Sequence, residues 1–433
     1  MSTTEKLNGY GPLAGVKVVE LCEWVAAPAC VRCLSEMGAT VIKVEPPYGD
    51  AQRTQGPGFG CEQTDMEDPT IDLNNTNKNF VSINLKNEEG MKFMKKLLAD
   101  ADIFVNNLRD KALNKMGLDY ETLHKEFPTL IWAQMRGYGE YGPEKDSPGF
   151  DAVCWAARGG VANVFREDGE SPAIAPQAFG DYNVGHMLAT GIVSALFNRT
   201  RTGKGEKVVT NLYAGAIWGG NIGICATQFG APYPKSRKHV PNPFNNTYRT
   251  YDDKWIYICM PQYDKYYPMM MGLFGHEDQI ENPDTNNLTS LKASGKNVEV
   301  IDWLEKAFAK KTFDEWMAIF KENEVPAQKC FRYTDVVKDE EAYDNDALRM
   351  VEYEAYGKRA LPMTPVRFGS YGDPPVVLSK PIGYHTAEFM HDYGYSDEEI
   401  AKDGGVVVYD GPEIEDRIFV SKRQAAGEAP CNW

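Results

Sequence analysis

The stretch VKVVELCEWVAAPACVRCLSEMGATVIKVEPP, Val16 to Pro47, decides the fold. Val16 to Leu21 is a β-branched run that reads as a strand. Pro28 to Met37 reads as a helix stopped by Gly38, since glycine accepts the left-handed conformation that ends helices. Thr40 to Val44 is a second strand, ended by Pro46 and Pro47, which cannot donate to a sheet. This is a β-α-β unit, and such units build parallel sheets.

The alternation continues outward from that unit. Phe80 to Leu85 reads as a strand, Glu88 to Ala99 as an amphipathic helix and Asp102 to Val105 as a strand. Asp119 suits the N-cap of a helix that ends near Pro128, and Leu130 to Met135 is another strand. Val184, Met187, Leu188, Ile192 and Leu196 follow helical spacing, and Lys207 to Leu212 is strand-like. Prolines and basic residues break the pattern from Pro232 to Pro243. Beyond it come a strand over Trp255 to Met260 and helices over Asp302 to Ala309 and Phe313 to Asn323. The chain then reads as irregular after about residue 340, with a last helix over 396–402. The expected organisation is a large α/β domain starting at 1–215, a linker at 216–241, a small domain at 242–340 and a return to the large domain over 341–433.

Composition sets bounds on function. The net charge of −16 argues against nucleic acid, which requires a basic surface. It leaves room for small anions in a local basic pocket. The longest apolar run, Met187 to Phe197, is too short to cross a bilayer, and the N-terminal residues lack a secretory pattern. Nine scattered cysteines fit a reduced, cytoplasmic setting. Cys30 and Cys33 form a CxxC, but no second pair completes a zinc site, so both read as small buried residues of one helix. The six histidines form no ligand pair, so no metal site is expected.

Familiar catalytic motifs are missing. The residues after the first strand, Glu20 to Pro28, contain no glycine, which argues against a dinucleotide fingerprint. The P-loop and the GxSxG elbow are absent as well. What remains is Asp181, set between Gly180 and Gly185 before the apolar helical run. Two readings stay open at this point. Asp181 is an N-cap, accepting backbone N–H bonds at a helix start. Or it is a carboxylate nucleophile that attacks an activated acyl carbon, with the glycines admitting a ligand close to the backbone.

Several segments together resemble the class III CoA-transferases, the family that includes formyl-CoA, carnitine and phenyllactate CoA-transferases. They are Pro12 to Glu20, Gly38 to Glu45 with Gly49-Asp50, Asn77-Lys78, Leu85-Lys86, and Asp102 to Asn107. Gly180-Asp181 with Gly185, Thr202 to Gly205, Gly383, His385-Thr386 and Gly394-Tyr395 complete the set, which spans nearly the whole chain. The resemblance implies a Rossmann-like large domain with a parallel sheet, a smaller α+β domain, and a ring-shaped chain in an interlocked homodimer. It implies no permanently bound cofactor, with a coenzyme A thioester and a carboxylic acid as substrates.

On the same resemblance Asp181 falls on the nucleophile, which forms an anhydride with the donor acyl group and then a thioester with CoA. Asp151 would orient or stabilise those intermediates or, alternatively, is a turn aspartate after Pro148-Gly149. Val25 and Ala26 match the pantetheine end of the CoA site. Ile83, Lys86, Asn107, Leu108 and Lys115 match its nucleotide end, with the two lysines as phosphate partners or, alternatively, as solvated surface lysines. Phe150 joins this set, and stands where the related acyl-CoA racemases carry histidine. A phenyl ring cannot move a proton, and racemisation requires a base on each face of the α-carbon, so transfer is the expected activity. Pro46 departs from the formyl-CoA transferase pattern, and the glycine-rich loop of that enzyme is missing. Asn242-Pro243-Phe244 and Met260 to Asp264 look like the phenyllactate branch, whose acids are 2-hydroxy or aryl- and alkyl-propenoic. The alternatives are an acyl-CoA racemase or isomerase and a non-catalytic acyl-CoA-binding protein.

Overall fold

The computed structural model describes residues 10–64, 66–401 and 404–427. It divides into two compact units. The first holds the chain up to Val161, Ile174–Asn221 and the chain from Asp339 onward; the second holds Ala162–Ala173 and Ile222–Lys338.

The first unit is built on a seven-stranded sheet of order β12-β3-β2-β1-β4-β5-β6. The strands are β1 (Lys17–Leu21), β2 (Thr40–Glu45), β3 (Lys78–Ile83), β4 (Ile103–Asn106), β5 (Ile131–Arg136), β6 (Lys207–Asn211) and β12 (Val406–Val407). All pair in parallel except β12, which runs antiparallel to β3. Between them lie α1 (Ala26–Glu36), α2 (Pro69–Asn75), α3 (Glu88–Ala99), α4 (Asp110–Met116), α5 (Tyr120–Glu126) and, before β6, the 24-residue α6 (Phe179–Thr202). The β-α-β reading of Val16 to Pro47 is thus realised, and Asp119 caps α5 by accepting the Thr122 N–H.

The layers close because the residues at their contacts are small or apolar. Every residue of α1 is buried, and its sequence AAPACVRCLSE offers mostly short side chains. Helix α6 lies against it, burying Val184, Leu188 and Ile192 completely. Gly185 makes the approach possible, since a Cβ there would sit 2.8 Å from the Ala26 carbonyl oxygen and 3.1 Å from the Cys30 nitrogen. Cys30 and Cys33 are free and buried at this contact, as expected of small helix residues.

The stretch after residue 340 is more regular than its composition suggested. A hairpin of β10 (Leu348–Tyr353) and β11 (Gly357–Pro362) stands there. The signal was alternation: Val351 and Tyr353 point inward, Met350 and Glu352 outward. His385 Nδ1 then accepts the Phe80 N–H and Thr386 Oγ1 accepts the Ser82 N–H, which docks the returning chain on β3. The expected last helix occurs as Asp397–Ala401; Lys402 and Cys431 lie outside the described residues.

Segment 216–241, read as a linker, carries the end of a helix, α7 (Leu212–Gly219), and another over Asn221–Thr227. The second unit pairs an antiparallel sheet of β7 (Asn245–Arg249), β8 (Trp255–Cys259) and β9 (Ala327–Lys329) with helices that include Asn297–Phe308 and Phe313–Glu322. Its core is aromatic, with Tyr248 stacked on Phe308 and Trp316 on Phe320. No described helix is long and apolar enough to cross a membrane.

Candidate active site

Strand order locates a crevice. β1 has β2 on one side and β4 on the other, so the chain leaves neighbouring strands in opposite directions. In open α/β sheets ligands bind outside the carboxyl ends of strands at such a switch point. A cavity of about 250 Å³ opens there, lined by the segments that follow β1, β4 and β5. Of the residues singled out from sequence, Val25, Ala26, Asn107, Leu108, Phe150 and Asp181 all line it. The remaining ones do not. Ile83 is buried at the end of β3 and pairs with Val406, while Lys86 and Lys115 are exposed on the surface.

Asp181 sits in the first turn of α6, but it is not the cap. The cap position belongs to Ala178, in left-handed conformation at φ 58° and without a side chain able to bond the helix. The capping interaction arrives from elsewhere. Asp151 is 7% exposed, and its Oδ2 accepts the Gly180 N–H at 3.4 Å. The N–H of Asp181 also bonds to it. The aspartate that accepts the helix N–H bonds is therefore Asp151, not Asp181 as the cap reading had it, and Asp181 lines the cavity. Among the described residues Asp151 Oδ1 has no hydrogen-bond partner.

The two carboxyls influence each other. Burial, followed by the nearby Asp151 charge, pushes the Asp181 carboxyl from 3.8 up to about 7. Burial also raises Asp151, against the lowering effect of the bonds it accepts from Gly180 and Asp181. Such perturbation of a pair in a cleft is a mark of a candidate functional site.

The glycines beside Asp181 do not open the backbone to a ligand, as the sequence suggested. A Cβ on Gly180 would collide with Asp151 Oδ1 and the Trp155 ring, and Gly185 admits α1. The Gly180 N–H is also occupied by Asp151, so it is not a free oxyanion donor.

The wall opposite is the loop after β1. Asn107 holds it from β4, accepting the Glu23 N–H at 3.2 Å and donating to the Glu23 carbonyl at 2.7 Å. Trp24 stands edge-on to Phe150, with ring centroids 5.4 Å apart. Met135, Tyr138 and Leu212 add apolar surface, and Arg109, Arg136 and Lys145 add positive charge. These six and Trp24 were not singled out in the sequence. The signal that finds them is position, in the segments at and beyond the carboxyl ends of β1, β4, β5 and β6. Arg136 is already engaged by Asp110, whereas Arg109 and Lys145 are exposed. Among the described residues no cluster of His, Cys, Asp and Glu could hold a metal.

This arrangement can receive an elongated ligand with an apolar, reactive end and an anionic tail, and can present a carboxylate to it. Known proteins agree in sequence and in fold. CoA-transferase family III matches residues 13–386. A cinnamoyl-CoA:phenyllactate CoA-transferase from Clostridium sporogenes is 40% identical, over 93% of this chain and 98% of its own. An (R)-2-hydroxy-4-methylpentanoate CoA-transferase from Clostridioides difficile is also 40% identical, over 92% of this chain and 100% of its own. The crystal structure of a CAIB/BAIF family protein from Brucella suis superposes with a TM-score of 0.72 at 26% identity, over 88% of this chain and 99% of that one. The chain therefore belongs to CoA-transferase family III, and with it to the acyl-CoA:carboxylate CoA-transferases.

Proposed function

We propose that this enzyme carries the acyl group and then CoA on Asp181. The observation behind the proposal is the Asp181 carboxyl, facing a cavity shared with Val25, Ala26, Asn107, Leu108 and Phe150. An Asp181 oxygen attacks the thioester carbonyl of the donor, the C–S bond breaks, and CoA leaves as thiolate. The thiolate attacks the aspartyl carbonyl, the anhydride C–O bond breaks, and the donor acid departs as carboxylate. The acceptor carboxylate attacks the aspartyl thioester and expels the thiolate. The thiolate then attacks the acyl carbonyl of the new anhydride, which releases product acyl-CoA and restores Asp181. The acyl group stays activated throughout, so water must be kept out. A carboxylate titrating near 7 is more basic than an ordinary one and still about half ionised at neutral pH, which suits a nucleophile. Asp151 holds the first turn of α6 and sets the charge around Asp181.

The substrates proposed are 2-hydroxy acids or aryl- and alkyl-propenoic acids and their CoA thioesters. Support comes from the two clostridial relatives and from the apolar lining of Trp24, Val25, Met135, Tyr138, Phe150 and Leu212. CoA threads from this cavity toward the surface lysines Lys86 and Lys115, with Ile83 beneath its nucleotide end. The active form is a homodimer with interlocked chains. A second copy would cover apolar surface that one chain leaves open, including Phe197 at 65% and Trp218 at 69% exposure.

The test is chemical trapping. With a cinnamoyl-CoA donor and no acceptor, hydroxylamine should convert Asp181 to a hydroxamate, found by peptide mass spectrometry. Asp181→Ala should lose transfer by at least a thousandfold while still binding CoA. An unmodified Asp181 peptide under turnover, or substantial residual transfer by the alanine variant, refutes the role.

A further inference from the structure

Trp24 is a residue out of place in its backbone. Its φ is +68°, in the left-handed region that L-residues with bulky side chains rarely enter. It is also in the wall of the cavity, at the turn between β1 and α1. Such a conformation persists only where the surroundings over-determine it.

The surroundings here are a buried charge quartet. Asp50, 1% exposed, accepts the Trp24 N–H on Oδ1 at 3.0 Å and the Gln52 N–H on the same oxygen at 2.9 Å. Its Oδ2 receives the Lys43 ammonium at 2.9 Å. Lys43 also bonds the Cys22 carbonyl at 3.0 Å and Glu20 Oε1 at 3.3 Å, and Lys78 reaches Glu20 Oε2 at 2.7 Å. All four side chains are fully buried. Two carboxylates and two ammoniums balance, so the group is neutral as a whole, which a buried group needs. The quartet thus grips the loop from both sides, at the carbonyl of Cys22 and at the N–H of Trp24. Between those grips Asn107 clamps Glu23.

We propose that Asp50 is a positioning residue of the active site, holding Trp24 in left-handed geometry so that the loop after β1 keeps the shape that receives CoA. It touches no substrate and acts through the Trp24 N–H. The network differs from an ordinary core salt bridge in its target, which is a strained residue of the cavity wall. The inference concerns the CoA cavity and does not depend on Asp181 being the nucleophile.

Glycine at position 24 provides the test, because it reaches φ +68° without being held. Binding of free coenzyme A to the full-length protein is measured by calorimetry for Asp50→Asn, Trp24→Gly and the double variant. Asp50→Asn should weaken binding at least tenfold with Trp24 present and less than threefold in the Trp24→Gly background. Equal losses in both backgrounds, or no loss with Trp24 present, overturn the proposal. Should Asp50→Asn fail to fold, Trp24→Gly and Trp24→Ala are compared with Asp50 in place. Both lack the ring, and Asp50 should hold either backbone, so their CoA affinities should agree within twofold; a tenfold deficit confined to alanine overturns it. Asp181→Ala, measured alongside, separates this outcome from any failure of the covalent mechanism.

Discussion

The carboxylate of Asp151 accepts the backbone N–H of Gly180, 29 residues away, and so closes the amino end of the helix that carries Asp181. A long-range acceptor replaces the local cap that Ala178 cannot supply. One consequence is geometric, since the first turn of α6 is tied to the segment that also carries Phe150. The other is electrostatic, since it brings the buried Asp151 carboxylate close to the half-buried Asp181.

The pH dependence follows from that pair. On the proposed mechanism Asp181 attacks in its ionised form, and burial with the Asp151 charge pushes its carboxyl up to about 7. kcat/KM should therefore fall with a slope of one below about pH 7. Asp151→Asn removes the charge but leaves burial, so the midpoint should move toward acid and stay above the ordinary 3.8. A profile flat from pH 5 to 8, or a midpoint that rises in the asparagine variant, contradicts this account.

Gly180 admits no side chain. A Cβ there meets Asp151 Oδ1 and the Trp155 ring, both on a buried segment that cannot retreat freely. Gly180→Ala should cost at least tenfold in kcat and about 1–3 kcal/mol of stability, the usual range for an overpacked core. Steady-state kinetics and denaturant unfolding read the two effects. An alanine variant with normal kcat shows that the Asp151 contact can be lost without consequence.

Phe150 lines the cavity, and by resemblance it stands where acyl-CoA racemases carry histidine; a phenyl ring cannot serve as a base. In deuterated buffer a 2-methylacyl-CoA should therefore gain no α-deuterium over many turnovers of transfer, as read by mass spectrometry. Rapid exchange would favour a racemase.

The parallel sheet was legible because short β-branched and apolar-rich segments alternate with clear helix signals from Val16 through Met135, even though Glu20, Lys43 and Lys78 interrupt the apolar residues of the strands. The residues alone left the cap and nucleophile readings of Asp181 both open, and the family resemblance favoured the second. The partner of that carboxyl, Asp151, lies in a segment whose Ala152–Arg158 portion forms a π-helix, a form with no simple sequence period. The cavity wall was partly hidden for the same kind of reason. Trp24 and Tyr138 are unremarkable in sequence, and become wall residues only once strand order places their loops side by side. Likewise Gly180 and Gly185 were read as room for ligand, whereas they are room for Trp155 and for α1. A sequence shows that space is needed at a glycine, but not what fills it.

A buried carboxyl with a raised pKa, as at Asp181, should also cost the fold stability, with a definite sign. Asp181 titrates near 3.8 when unfolded and near 7 when folded, so the fold binds its proton more tightly. Between those values the native state holds more protons than the unfolded chain, and stability falls as pH rises. Below about pH 4 both states are protonated and the penalty is absent; above about pH 7 it is complete. Asp181→Asn substitutes a neutral amide of the same size and removes the penalty. It should therefore raise Tm relative to the unaltered enzyme at pH 8, by several degrees, and leave Tm unchanged within a degree at pH 4. Differential scanning calorimetry at the two pH values distinguishes this from a general packing effect, which would shift Tm equally at both. An asparagine variant less stable than the parent at pH 8 would mean that the surroundings favour the ionised carboxylate, contrary to the burial argument.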